Sequence, residues 1–232
     1  MSHFNVLVLT TDESPSVDEL LEPYYEGNPC APHIEYTKQE AIDYVRKHYP
    51  DFKDKNDEEC WEFMSGGFIT DKQGNLYSTA NPDAKWDWYE EGGRWKDFLR
   101  LKDGTRASSA KLKDIDFSPD PEEYAKALHY WSLVVENQPL EPGEEMPFSF
   151  YKPEYYKEFY GDRESYAKRQ TGFHTFAVIT PNGIWYEKGR CGWWGNSDES
   201  PEQARDWEEN FVKNFIEGED GDTVATIVDC HI

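Results

Sequence analysis

Eleven residues near the middle of the chain hold its densest set of ligand-binding groups: Lys85-Trp86-Asp87-Trp88-Tyr89-Glu90-Glu91-Gly92-Gly93-Arg94-Trp95. The rings of Trp86, Trp88, Tyr89 and Trp95 are broad, stiff surfaces with polar edges, suited to stacking on a planar group. Gly92 and Gly93 let the backbone turn through positive φ or approach another group closely. Lys85 and Arg94 add positive charge at either side. Residues 85–113 hold eight Lys or Arg against five Asp or Glu, while the whole chain carries −23. A basic island in an acidic chain is a natural place to meet an anion. The plainer reading is a satellite core, with the indoles buried against a sheet and the glycines only shaping a turn.

A second cluster, Gly-Arg-Cys-Gly-Trp-Trp-Gly at 189–195, has the same ingredients. The expectation is that Arg190, Trp193 and Trp194 form one wall of a pocket and the 85–95 stretch the other. Rings would stack on the ligand while Arg94 and Arg190 neutralise its charge. His174 joins this set as a polar group on a neighbouring strand. Catalytic signatures are absent: there is no Gly-x-Ser-x-Gly elbow, phosphate-binding loop, His-Glu-x-x-His or zinc-type cysteine spacing. His231 lies beside Cys230 and Asp229, which suggests a nucleophile with its base or a metal site. Adjacent strand residues point to opposite faces, however, so Cys230 and His231 are poorly placed to serve one centre. No catalytic residue, metal or cofactor is therefore assigned.

At 232 residues the chain can bury a substantial core. Aromatic residues are 16% of it, so that core should be rich in rings. The net charge argues against direct binding to nucleic acid or anionic membranes and suits a basic protein partner. Four widely spaced cysteines fit free thiols in a reducing cytosol. The opening residues lack the basic segment of a secretion signal, and no apolar run has the length of a membrane span. A cytoplasmic protein is expected, with its oligomeric state open.

The elements that must position these groups read as α+β with an antiparallel sheet. Residues 4–10 form an apolar strand. Ser16 with Glu19, and Thr37 with Glu40, are spaced as capping boxes that open helices. Hairpins are expected over 68–78, 98–107 and 173–187. Asp120-Pro121 and Ser200-Pro201 begin helices, residues 153–169 are helical with a break near Gly161, and 222–231 form a final strand. The order resembles a ferredoxin-like split β-α-β sheet, with residues 1–232 as a single domain and 50–170 as an insertion carrying the Trp-rich stretch.

The Lys-Trp-Asp-Trp-Tyr-x-x-Gly-Gly-Arg-Trp motif, the Gly-Trp-Trp-Gly segment and the closing Val-Asp-Cys-His-Ile resemble a family of uncharacterised proteins of bacteriophages and prophages. The resemblance covers about half the chain and brings no activity, fold or catalytic residue with it. It implies a viral setting, in the cytoplasm of an infected or lysogenic bacterium, where small acidic proteins act against host defences. The expected role is a non-enzymatic binding protein that occupies a host protein or sequesters a small anionic, nucleotide-like ligand. The alternative is a hydrolase or transferase acting on a nucleotide-like substrate.

Overall fold

The computed structural model describes residues 2–190 and 197–232. They form two compact units, Met1–Glu22 with Trp86–Ile232, and Pro23–Lys85. The fold is α+β. The larger unit begins with β1 (His3–Thr10) and α1 (Val17–Leu21), whose capping box joins Ser16 and Glu19. The smaller unit holds β2 (His33–Tyr36), α2 (Lys38–His48), α3 (Asp57–Ser65), β3 (Ile69–Thr70) and β4 (Leu76–Ser78). Its strands pair in the order β2-β4-β3, and Ile42, Val45 and Cys60 make the core between α2 and α3.

The larger unit resumes with β5 (Trp88–Glu91), β6 (Leu99–Arg100), β7 (Arg106–Ala107) and β8 (Ser109–Lys111). Then come α4 (Pro121–Val134), α5 (Pro153–Tyr160), α6 (Arg163–Thr171), β9 (Ala177–Ile179), β10 (Trp185–Glu187), α7 (Pro201–Phe215) and β11 (Val224–His231). The main sheet runs β10-β9-β1-β11-β5, and β8 also pairs with β11. The first and last strands lie side by side, antiparallel from His3↔His231 to Thr10↔Val224. Both are buried nearly throughout, as central strands covered on both faces must be.

Two expectations are corrected. In a split β-α-β sheet the second strand of the hairpin would lie beside β1. Here β9 lies there instead, parallel to β1, with β10 outside it. The segment outside the main unit is Pro23–Lys85 rather than 50–170. The reason is that β5 and β8, from the middle of the expected insertion, pair directly with β11.

Face alternation sorts the core. Leu7 and Leu9 of β1 share one face with their partners Ile227 and Ala225, and Val178 of β9 lies beside Leu7. Phe211 and Ile216 cover this face together with Leu99, Leu112 and Ile115. Each such side chain contributes roughly 1.5–3 kcal/mol through burial. A second cluster joins α4, α5 and α6 through Trp131, Tyr156 and Tyr166. Arg169 is only 2% exposed and ties this cluster to α7. Its guanidinium lies over the rings of Phe159 and Tyr160 and donates from Nε to Glu208 at 2.8 Å. Phe211 is buried on all sides, so Phe211→Ala should destabilise the larger unit by about 3–5 kcal/mol in chemical denaturation.

Candidate functional site

The Trp-rich stretch becomes β5 and the turn that follows it. β5 lies against the end of β11, with Trp88 opposite His231 and Glu90 opposite Asp229. Trp86 is buried, donates from its indole nitrogen to Leu21 O at 3.1 Å, and meets the Tyr89 ring edge-on. The Tyr89 hydroxyl donates to Asp18. Partial burial and this carboxylate push the phenol up to about 12. Trp95 is half-buried against the main core. Trp86, Tyr89 and Trp95 are thus committed to packing, whereas Trp88 is 47% exposed.

The two glycines have different reasons. Gly92 turns the chain at φ 73° and donates its N–H to Ile227 O. Gly93, at φ 45°, lies so close to Asp229 that a Cβ would collide with that side chain. The approach brings the Arg94 N–H within 3.0 Å of Asp229 Oδ2. Asp229 is 1% exposed, and its other oxygen takes a hydrogen bond from His3 Nδ1 at 2.8 Å. Beside it, His231 Nδ1 is hydrogen-bonded to Asp87. The two imidazoles are cross-strand neighbours with ring centres 5.0 Å apart, and Trp88 stands edge-on to His3 at 6.2 Å. An ionised carboxylate only accepts, so each Nδ1 carries a hydrogen and each Nε2 remains for another partner. The Arg94 side chain is exposed and forms no ion pair among the described residues.

The sheet thus gathers three distant pieces of sequence: His3, the Asp87–Arg94 segment, and Asp229 with His231. Cys230 faces the other way, as strand alternation requires, and burial pushes its thiol well above the ordinary range.

A cleft of about 730 Å³ opens elsewhere in the same unit. Its basic groups are Arg100, Arg106, Lys126 and Lys188, against Asp116, Asp120 and Glu123. Arg100 pairs with Asp116 at 3.0 Å, Arg106 with Asp120 at 3.4 Å, and Lys126 with Glu123 at 2.7 Å. Phe98, Phe173, Tyr130 and Tyr166 supply ring surfaces. His174 also lines it, with Nδ1 donating to Gly172 O at 3.1 Å. Burial, the largest influence, lowers the His174 pKa and favours the neutral ring with Nε2 as an acceptor. Asn5, two residues along the same face of β1 from His3, lines the cleft and accepts the Phe176 N–H.

Of the residues expected to bind a ligand, His174 lines this cleft, whereas Trp86, Trp88, Tyr89, Gly92, Gly93, Arg94 and Trp95 do not. Lys85 belongs to the smaller unit. Arg190 is exposed and donates its backbone N–H to Asp198, while Trp193 and Trp194 lie outside the described residues. Sequence reasoning missed His3, Asp87, Arg100 and Arg106 as site residues, and it considered Asp229 only as a neighbour of Cys230 and His231. The signal for His3 was present, since antiparallel pairing of the first and last strands places it opposite His231.

Comparison with family models, with curated proteins and with solved structures finds no match to this chain. Among the described residues, no helix is long and apolar enough to cross a membrane.

The close approach at Asp229 makes Gly93 and Gly104 a discriminating pair. Both have positive φ, but nothing lies within 4 Å of a Cβ built on Gly104. Gly104→Ala should cost about 1–2 kcal/mol, the left-handed strain alone. Gly93→Ala must also displace a buried carboxylate, so its loss in chemical denaturation should be the larger of the two.

Proposed function

We propose that this protein binds a small anionic ligand with a planar, nucleotide-like group in the cleft between β6–β7, α4 and the entrance to β9. One observation carries the reading: in a chain of net charge −23, the cleft walls hold four basic side chains against three acidic ones, interleaved with aromatic rings. These cations are paired with local carboxylates, Lys188 with Glu199 at 3.3 Å among them, so an anion would enter by exchanging for a carboxylate rather than by meeting free charge. An entering phosphate or carboxylate would exchange for the carboxylates that now pair with Arg100 and Arg106. The rings would cover its planar part. The proposed biological setting is that of a phage or mobile-element protein sequestering a ligand used in host defence. It rests on the motif resemblance.

A second reading, hydrolysis or group transfer on a nucleotide-like substrate, is favoured by His174. A neutral imidazole whose Nδ1–H is held by a backbone carbonyl presents Nε2 as a base. His174→Gln would then retain binding and abolish turnover. The acid limb of the pH–rate profile would fall below the ordinary histidine range, because burial disfavours the charged ring.

Arg106 is the informative position for binding. Its side chain is 51% exposed and its ion pair with Asp120 is long, so its contribution to stability is at most about 1 kcal/mol. In calorimetric titrations with inorganic phosphate and adenosine 5′-monophosphate, the nucleotide should bind more tightly than phosphate. Arg106→Ala should weaken nucleotide binding at least tenfold with little change in melting temperature. Failure of both probes to bind, or an Arg106→Ala variant that binds like the parent, would remove the proposal.

A further inference from the structure

The paired imidazoles at the end of the sheet suggest a separate site that does not depend on the cleft. His3 and His231 occupy opposed positions on neighbouring antiparallel strands. The adjoining Ser2 and Ile232 exchange both backbone hydrogen bonds, at 3.2 and 3.1 Å. The histidines therefore form the non-hydrogen-bonded kind of pair, whose side chains approach most closely. Each ring has its Nδ1 on a carboxylate, His3 on Asp229 and His231 on Asp87. That is the arrangement in which histidine ligates metals: a carboxylate takes one ring N–H, fixes the tautomer and ring direction, and raises the basicity of the other nitrogen.

The spacing agrees. Imidazoles that bind one tetrahedral ion through nitrogens at about 2.0–2.1 Å have ring centres about 5 Å apart. Here the centres are 5.0 Å apart and the planes are inclined at 68°. The side chains of His3 and His231 remain 18% and 13% exposed, so the pair is reachable from solvent. Asp229 is held in place by the Arg94 N–H, next to Gly93, where a Cβ would collide with the Asp229 side chain. This use accounts together for Asp87, Gly93, Asp229, His231 and His3, which the cleft does not employ.

We propose that His3 and His231 bind one divalent transition-metal ion of the zinc type through their Nε2 atoms, with Asp87 and Asp229 as positioning residues. No group of three or more His, Cys, Asp or Glu among the described residues is arranged to hold a metal. The site is therefore an open one with two protein ligands, and water or an exogenous anion completes the coordination. A borderline ion such as Zn²⁺ suits imidazole nitrogen, whereas Mg²⁺ and Ca²⁺ prefer oxygen ligands.

The test is calorimetric titration of the untagged, metal-free full chain with ZnCl₂ and, separately, MgCl₂. One Zn²⁺ should bind per chain, with no response to Mg²⁺ at the same concentrations. His3→Ala and His231→Ala should each weaken Zn²⁺ binding by at least a hundredfold. Asp87→Asn, which keeps the side chain's shape at a position 33% exposed, should weaken it about 10- to 100-fold while leaving the circular dichroism spectrum unchanged. Cys30 and His33 in the smaller unit are 3.4 Å apart and are the chief rival for the ion. Cys30→Ser should leave the affinity unchanged. The proposal is overturned if Zn²⁺ does not bind, if binding survives His231→Ala and Asp87→Asn undiminished, or if Cys30→Ser alone removes it.

Discussion

The buried carboxylate of Asp229 constrains everything around it. An ionised group with 1% exposure is tolerable only when its lost hydration is replaced by donors of good geometry. One donor comes from β1, as His3 Nδ1, and the other from the turn after β5, as the Arg94 N–H. Those two hydrogen bonds tie β1 and the turn after β5 to β11, and the close approach of the turn leaves no room for a side chain at position 93. The aromatic residues around the turn follow from the same demand. Trp86 and Tyr89 anchor it to α1, and Trp95 packs it against the main core.

The larger unit separates two kinds of polar chemistry. Around the paired histidines, polar atoms are few, oriented and largely withdrawn from water. Around the cleft they are numerous, solvated and mutually paired, with guanidinium and ammonium groups balanced by neighbouring carboxylates. Exposed pairs of the second kind contribute little to stability and exchange partners readily. The first kind is costly to disturb, because removing one partner leaves a buried charge without compensation.

Local signals in the sequence were readable where a local hydrogen bond decides the structure. Ser16 with Glu19, Thr37 with Glu40 and Ser200 with Gln203 all form the capping boxes their spacing announces. Asn56 with Glu59 forms another, hidden from reading by the acidic run around it. Strand neighbours were harder, because pairing is settled far along the chain. Trp-Tyr-Glu-Glu has no apolar alternation because β5 is a short edge strand. The position of β9 beside β1 was encoded in composition: Ala-Val-Ile is apolar on both faces, whereas Trp-Tyr-Glu in β10 is not. The residue types of the Trp-rich stretch alone do not say that most of its rings face inward. That depends on β11 being its partner, and it is β11 that also brings Asp229 and His231 to the same place.

The adjacency of β1 and β11 has a consequence for biogenesis. As the polypeptide leaves the ribosome, residues 3–10 emerge well before their longest partner, residues 224–231, which lies far along the chain. Until then one flank of β1 has no mate, and an apolar strand with an open edge is prone to stick to other chains. The sheet is therefore sealed through pairings that are long-range on both flanks of β1, the kind of topology that folds slowly.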